Sequence, residues 1–250
     1  MSRAPRLVAG VDGCPAGWVA AIGEADGRCP PGGPVWLAVA GSLAELIDAH
    51  PRVARWAVDM PLGLASDGPR PADAEARRRL GPRRSSVFPA IPLPALDAVE
   101  YSEACRLAEA ATGKRISKQA WNLAPKIREL RALALNAPSR RRRAVFECHP
   151  ELAFAAIGSG VPCPHPKKSD AGHEERVALL ASVFGPEPVS RFIAQAETTR
   201  GVGVDDALDA AACWFSASRD LADATESVGD DRITGKPRFD ATGLPLEIRW

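Results

Sequence analysis

The sequence predicts an α/β fold: a mixed sheet, in which an antiparallel meander is joined by parallel strands, flanked by helices. Three observations predict it. Short apolar runs at 7–11, 18–22 and 35–39 are separated by Gly- and Pro-containing turns. Two more, at 53–59 and 144–146, follow helical stretches. A late stretch, 205–221, is apolar nearly all round, the mark of a helix packed deep in the protein.

Leu7 to Val11 is a continuous apolar run, as expected of a strand buried on both faces, and Gly13, Pro15 and Gly17 turn the chain. Trp18 to Ile22 returns as the second strand, and Val35 to Val39 follows a Pro/Gly loop as the third. Ser42 caps a helix to about Ala49, with Glu45 at the capping-box position, and Val53 to Asp59 is the fourth strand. From 61 to 143, Pro-rich loops alternate with helices such as Tyr101 to Thr112 and Gln119 to Leu135; this reads as a helical insertion in a single domain spanning 1–250. Ala144 to Phe146 resumes strand character, Pro150 opens a helix to about Ile157, and Glu174 to Phe184 forms another. Asp205 or Asp206 begins the buried helix, and 244–248 is a short strand candidate.

A chain of 250 residues with 46% hydrophobic content has ample material for a core. Its net charge of +1 gives no global attraction to polyanions, so such a site would need local basic clusters: Arg77 to Arg79 with Arg83 and Arg84, or Arg140 to Arg143. Six cysteines without a Cys-x-x-Cys pair fit reduced thiols in a cytoplasmic protein. The N-terminal apolar run is too short for a signal peptide or a membrane span.

Carboxylates recur at element ends. Asp12 closes Leu-Val-Ala-Gly-Val-Asp, Asp59 closes Trp-Ala-Val-Asp, Glu147 closes Ala-Val-Phe-Glu, and Asp206 and Asp209 open the buried helix. Charges at such places are costly unless compensated, and a hard divalent cation is the simplest compensation. Two Mg²⁺ or Mn²⁺ ions about 4 Å apart, bridged by acidic oxygens from different elements, would activate water at a phosphodiester. In that arrangement Asp12 bridges, Asp59 completes one ion, Asp206 or Asp209 serves the other, and Glu147 is a further ligand or a base. An aspartate before Gly-Cys-Pro is also a turn former, and Asp205 or Asp206 also suits a helix N-cap. A cap does not explain Asp209.

Six stretches resemble one family. They are Val-Asp-Gly-Cys-Pro-Ala-Gly-Trp-Val (11–19), Val-Asp-Met-Pro-Leu-Gly-Leu (58–64), Arg-Arg-Ser-Ser-Val-Phe-Pro (83–89), Ser-Lys-Gln-Ala-Trp-Asn-Leu-Ala-Pro-Lys-Ile (117–127), Glu-Cys-His-Pro-Glu (147–151) and Asp-Asp-Ala-Leu-Asp-Ala (205–210). In this order they resemble family DUF429, predicted ribonuclease-H-like nucleases. The order of strands and helices is similar to the ribonuclease-H-like one as well. The resemblance implies a metal site at Asp12, Asp59, Asp206 and Asp209, and 206–210 also looks like the helix start of Holliday-junction resolvases.

Around these carboxylates, Arg84, Ser85 and Ser86 with Phe88 suit phosphate binding and stacking. Lys118, Gln119 and Lys126 lie on one helical stretch, the last two on a shared face, and could clamp phosphate. His149 and Glu151 lie close enough to Glu147 to compete for its role. The expected partner is a nucleic acid or nucleotide. Alternatives are actin-like phosphoryl transfer at the 11–19 hairpin, and a binding module that kept the fold and lost the chemistry.

Overall fold

The computed structural model describes residues 5–26, 35–138, 144–231, 234 and 236–250. The expected basic run Arg140 to Arg143 lies outside the described residues.

Strands β1 (Arg6–Cys14), β2 (Gly17–Ala25) and β3 (Val35–Ala40) form the antiparallel meander. Helix α1 (Leu43–Ala49) follows, capped as expected: the Ser42 side chain accepts from the Glu45 N–H, and the Glu45 carboxylate accepts from the Ser42 N–H. Strand β4 (Arg55–Val58) and, much later, β5 (Val145–Glu147) add in parallel, giving the order β3-β2-β1-β4-β5. Between β4 and β5 the chain makes α2 (Pro71–Leu80), a 3₁₀ turn at Gly81–Ser86, α3 (Tyr101–Thr112) and α4 (Lys118–Asn136). After β5 come α5 (Pro150–Ile157), α6 (Asp170–Phe184), α7 (Pro186–Thr198) and α8 (Val204–Leu221). Helix α6 starts earlier than its apolar face suggests, because Ser169 caps it at Gly172 N–H. The C-terminal strand is shorter than expected: β7 (Ile248–Arg249) pairs with β6 (Ser227–Val228).

Strand alternation splits the core in two. Val8, Val19, Ala21, Ala57 and Phe146 face α8 and the helices around it, whereas Ala9, Val11, Ala20, Ile22, Trp56, Val58 and Val145 face α1, α3 and α4. Helix α8 crosses β1, β2 and β4 at very close range. A Cβ on Gly10 would lie 1.9 Å from the Trp214 nitrogen and 2.1 Å from the Ala210 oxygen, so only glycine lets the helix backbone settle there. Gly10→Ala is therefore expected to destabilise the fold by about 3 kcal/mol, read as a lower urea midpoint. An unchanged midpoint would mean that the helix does not rest on this strand.

This packing places the carboxylates. On β1, Gly10 and Asp12 lie on the α8 face; on β4 and the residue after it, Ala57 and Asp59 do. Val11 pairs with Val58, so Asp12 and Asp59 leave adjacent parallel strands at the same level.

Candidate metal centre

One carboxylate oxygen from each of Asp12, Asp59 and Asp209 lies within 4.8 Å of the others. Asp12 lies two residues before the end of β1, Asp59 directly follows β4, and Asp209 is in the second turn of α8, where Gly10 lets the helix approach. Asp12 and Asp209 are buried and Asp59 is half-buried. Burial, then the charges of Asp59 and Asp209, hold the Asp12 carboxyl well above the ordinary range. Asp59 is raised in the same way, by burial and then by Asp209. Burial lifts Asp209 to about 6, although Lys167 pulls it down. Lys167 Nζ donates to Asp209 Oδ2 at 2.7 Å and stands 3.9 Å from Asp205 Oδ2. Burial alone would lower the Lys167 ammonium, but Asp209, Asp12 and Asp59 raise it, so it stays charged.

The triad stands in a cleft of about 730 Å³. Gln119 and Lys126 of α4 line it, as their shared face predicts, together with Ser85, Ser86 and the exposed Phe88 ring. The Lys126 ammonium also donates to the Gly17 carbonyl and lies 4.5 Å from the Trp18 ring centroid.

Several expected residues take other places. Glu147 borders the cleft but is outside the triad. It shares a sheet face with Val145, opposite to Phe146, so it turns away from α8. Both of its oxygens accept from Arg70, and one also accepts from the Leu62 N–H at 2.8 Å. Burial lifts the Glu147 carboxyl to about 7 against the pull of Arg70. The next residue, Cys148, is the one that continues the strand level of Asp12 and Asp59. Asp206 also lines the cleft without joining the triad, its Oδ2 accepting from the Gly203 N–H at 3.3 Å as a helix-start bond. Asp209, three residues on, is the helix residue that reaches the strands.

Arg83 lines the cleft where Arg84 was expected; Arg84 is exposed and outside it. The segment is a 3₁₀ turn with three residues per turn, so neighbouring side chains point about 120° apart. Lys118 also lies outside the cleft, its ammonium 3.8 Å from the Tyr101 ring centroid. His149 lines the cleft and caps α5, its Nδ1 accepting from the Glu151 N–H at 3.2 Å. Burial lowers the pKa of this imidazole, which favours its neutral form. Glu151 is buried, accepts from Arg176 through Oε1, and has a second oxygen, Oε2, with no hydrogen-bond partner among the described residues.

The model of DUF429, described as a protein of unknown function, matches residues 10–233. The chain belongs to DUF429. The matched span of this DUF429 member contains the whole triad and Lys167. No curated protein and no solved structure matches it. No described helix is long and apolar enough to cross a membrane.

Sequence reasoning missed Lys167 and the Arg70 partner of Glu147, and in the basic run 83–84 it favoured Arg84 over Arg83. The only sequence signal for Lys167 is the pair of lysines that ends the Pro-His-Pro-Lys-Lys loop. Nothing in its local periodicity points to an aspartate 42 residues away.

Proposed function

We propose that this DUF429 member is a metal-dependent hydrolase of phosphodiester bonds with a ribonuclease-H-like fold, acting on nucleic acid or nucleotides. The convergence of Asp12, Asp59 and Asp209 carries this reading. The sheet order, with a meander and two parallel strands beside β1, supports the fold assignment. The donor set fits a hard divalent cation: all oxygen, from three elements, with its mutual repulsion opposed by one lysine. Mg²⁺ or Mn²⁺ held there would supply Lewis acidity toward a phosphoryl oxygen and the attacking water.

The chain's own groups supply the rest. Arg83, Lys126 and Lys168 line the cleft as cations for phosphate oxygens, Ser85 and Ser86 add hydroxyls, and Phe88 offers a face for a base. In hydrolysis a bond forms from the water oxygen to phosphorus and the ester P–O bond breaks. The water proton passes to a triad carboxylate, and the leaving oxygen takes a proton from solvent. Five described cysteines are free and buried, which supports a reducing, cytoplasmic setting.

The test is a screen of single- and double-stranded DNA, RNA, hybrids, junctions and nucleotides with Mn²⁺, run beside Asp59→Asn. Wild type is expected to cleave at least one class, and the variant to lose that activity by about 10²–10³-fold, as when a group stabilising transition-state charge is removed. Equal behaviour of the two proteins on every substrate would end the proposal.

A further inference from the structure

Lys167 lies in the short loop between α5 and α6, and that loop is fixed on both sides of it. The Gly172 backbone sits so close that an added Cβ would be 1.9 Å from the Pro166 oxygen. Ser169 Oγ donates to the same Pro166 oxygen at 2.8 Å. Arg176, itself buried, donates to the His165 carbonyl at 3.3 Å and ties α6 to Glu151 on α5. From this anchored backbone the side chain reaches across to Asp209, with 35% of its surface still open to the cleft.

An ammonium has three N–H donors, and Asp209 takes one at 2.7 Å. Its charge also attracts Asp12 and Asp59. Three carboxylates and one ammonium leave two negative charges, which a single divalent ion cancels. The first dication has three carboxylates to offset the ammonium; a second would meet both the ammonium and the first ion within a few ångströms with no triad carboxylate left unshared, in a partly dehydrated site where like charges repel strongly.

We propose, on the basis of the metal-dependent reading above, that Lys167 stands in for a second cation: the centre takes one divalent ion at Asp12, Asp59 and Asp209, and the Lys167 ammonium presents the other positive charge to a phosphate oxygen. The two-ion arrangement expected from the carboxylates alone thereby becomes one ion and one lysine. Lysine suits the place because its charge is compact and its donors rotate to meet a phosphate oxygen.

The number of Mn²⁺ ions bound per chain, read by equilibrium dialysis with electron paramagnetic resonance of the free ion, tests this without any turnover. Wild type is expected to bind one, Lys167→Arg one, and Lys167→Met two, since the thioether keeps the stem's bulk without its charge. Circular dichroism establishes that each variant is folded before the titration. Two ions in wild type or in Lys167→Arg, or fewer than two in folded Lys167→Met, overturn the surrogate role. If Lys167→Met does not fold, one ion in Lys167→Arg alongside one in wild type supports the role, and two ions in either, or none in Lys167→Arg beside one in wild type, overturn it. No Mn²⁺ on wild type would instead overturn the metal reading on which the role rests.

Discussion

Asp12→Asn is expected to melt higher than the wild type in the absence of metal and to gain nothing when Mn²⁺ is added. Without a cation, the three carboxyls are held above their ordinary range: Asp12 by burial and the charges of Asp59 and Asp209, Asp59 by burial and the charge of Asp209, and Asp209 by burial. The folded chain thus binds more protons than the unfolded chain between the ordinary aspartate value of 3.8 and the raised values, about 6 for Asp209. Stability from these groups is fully present below about pH 4 and declines as the pH rises through that window. Above that window, where its carboxyls ionise, the triad opposes folding.

An asparagine at 12 removes one charge while its oxygen can still accept the Gly13 N–H, which Asp12 Oδ1 takes at 2.6 Å. Relief of about 0.5–2 kcal/mol, the usual gain when one unfavourable charge is removed, corresponds to roughly 1–8 °C for a chain of this size. Mn²⁺ at a hundred times its dissociation constant should add about 2.7 kcal/mol to wild type and nothing to the variant. Differential scanning fluorimetry at pH 7, with and without Mn²⁺, reads both effects. An apo variant less stable than apo wild type, or equal Mn²⁺ shifts in the two, would refute the triad as a cation site.

Removing Arg70 should be the most damaging single change near the cleft. Its guanidinium, with 3% of the side chain exposed, bonds Asp73 at 2.8 Å and both oxygens of Glu147. Arg70→Ala leaves two buried carboxylates without their cation, a loss of about 3–5 kcal/mol in urea unfolding. Glu147→Gln is expected to be milder, because the amide oxygen can still accept from the Leu62 N–H or from Arg70. It should also keep the full Mn²⁺ thermal shift, since the ion pair, not the metal, occupies this side chain. Loss of that shift in Glu147→Gln would return Glu147 to the ligand set and overturn its assignment to Arg70.

Much of this arrangement was legible in the amino-acid order. The apolar runs of β1, β2 and β4, the Ser42 capping box and the apolar circumference of α8 are local patterns, and they emerged as elements with small shifts at their ends. Asp12 and Asp59 could be named because each ends a buried strand, where a charge is conspicuous. Helix α7 has no counterpart in the sequence reading; its buried face, Val189, Phe192 and Ala196, packs with α8.

The sequence alone determined which residues share a face within each element: Val145 with Glu147, Phe146 with Cys148, Gln119 with Lys126. Only the tertiary structure decided which of those faces meets α8, and so sent Glu147 to Arg70, chose Asp209 over Asp206, and brought Lys167 to the triad. The reason is physical. Periodicity is set by backbone geometry over a few residues, whereas the phase of one element against another is set by close packing between segments far apart in the chain, here the contact of Gly10 with Trp214.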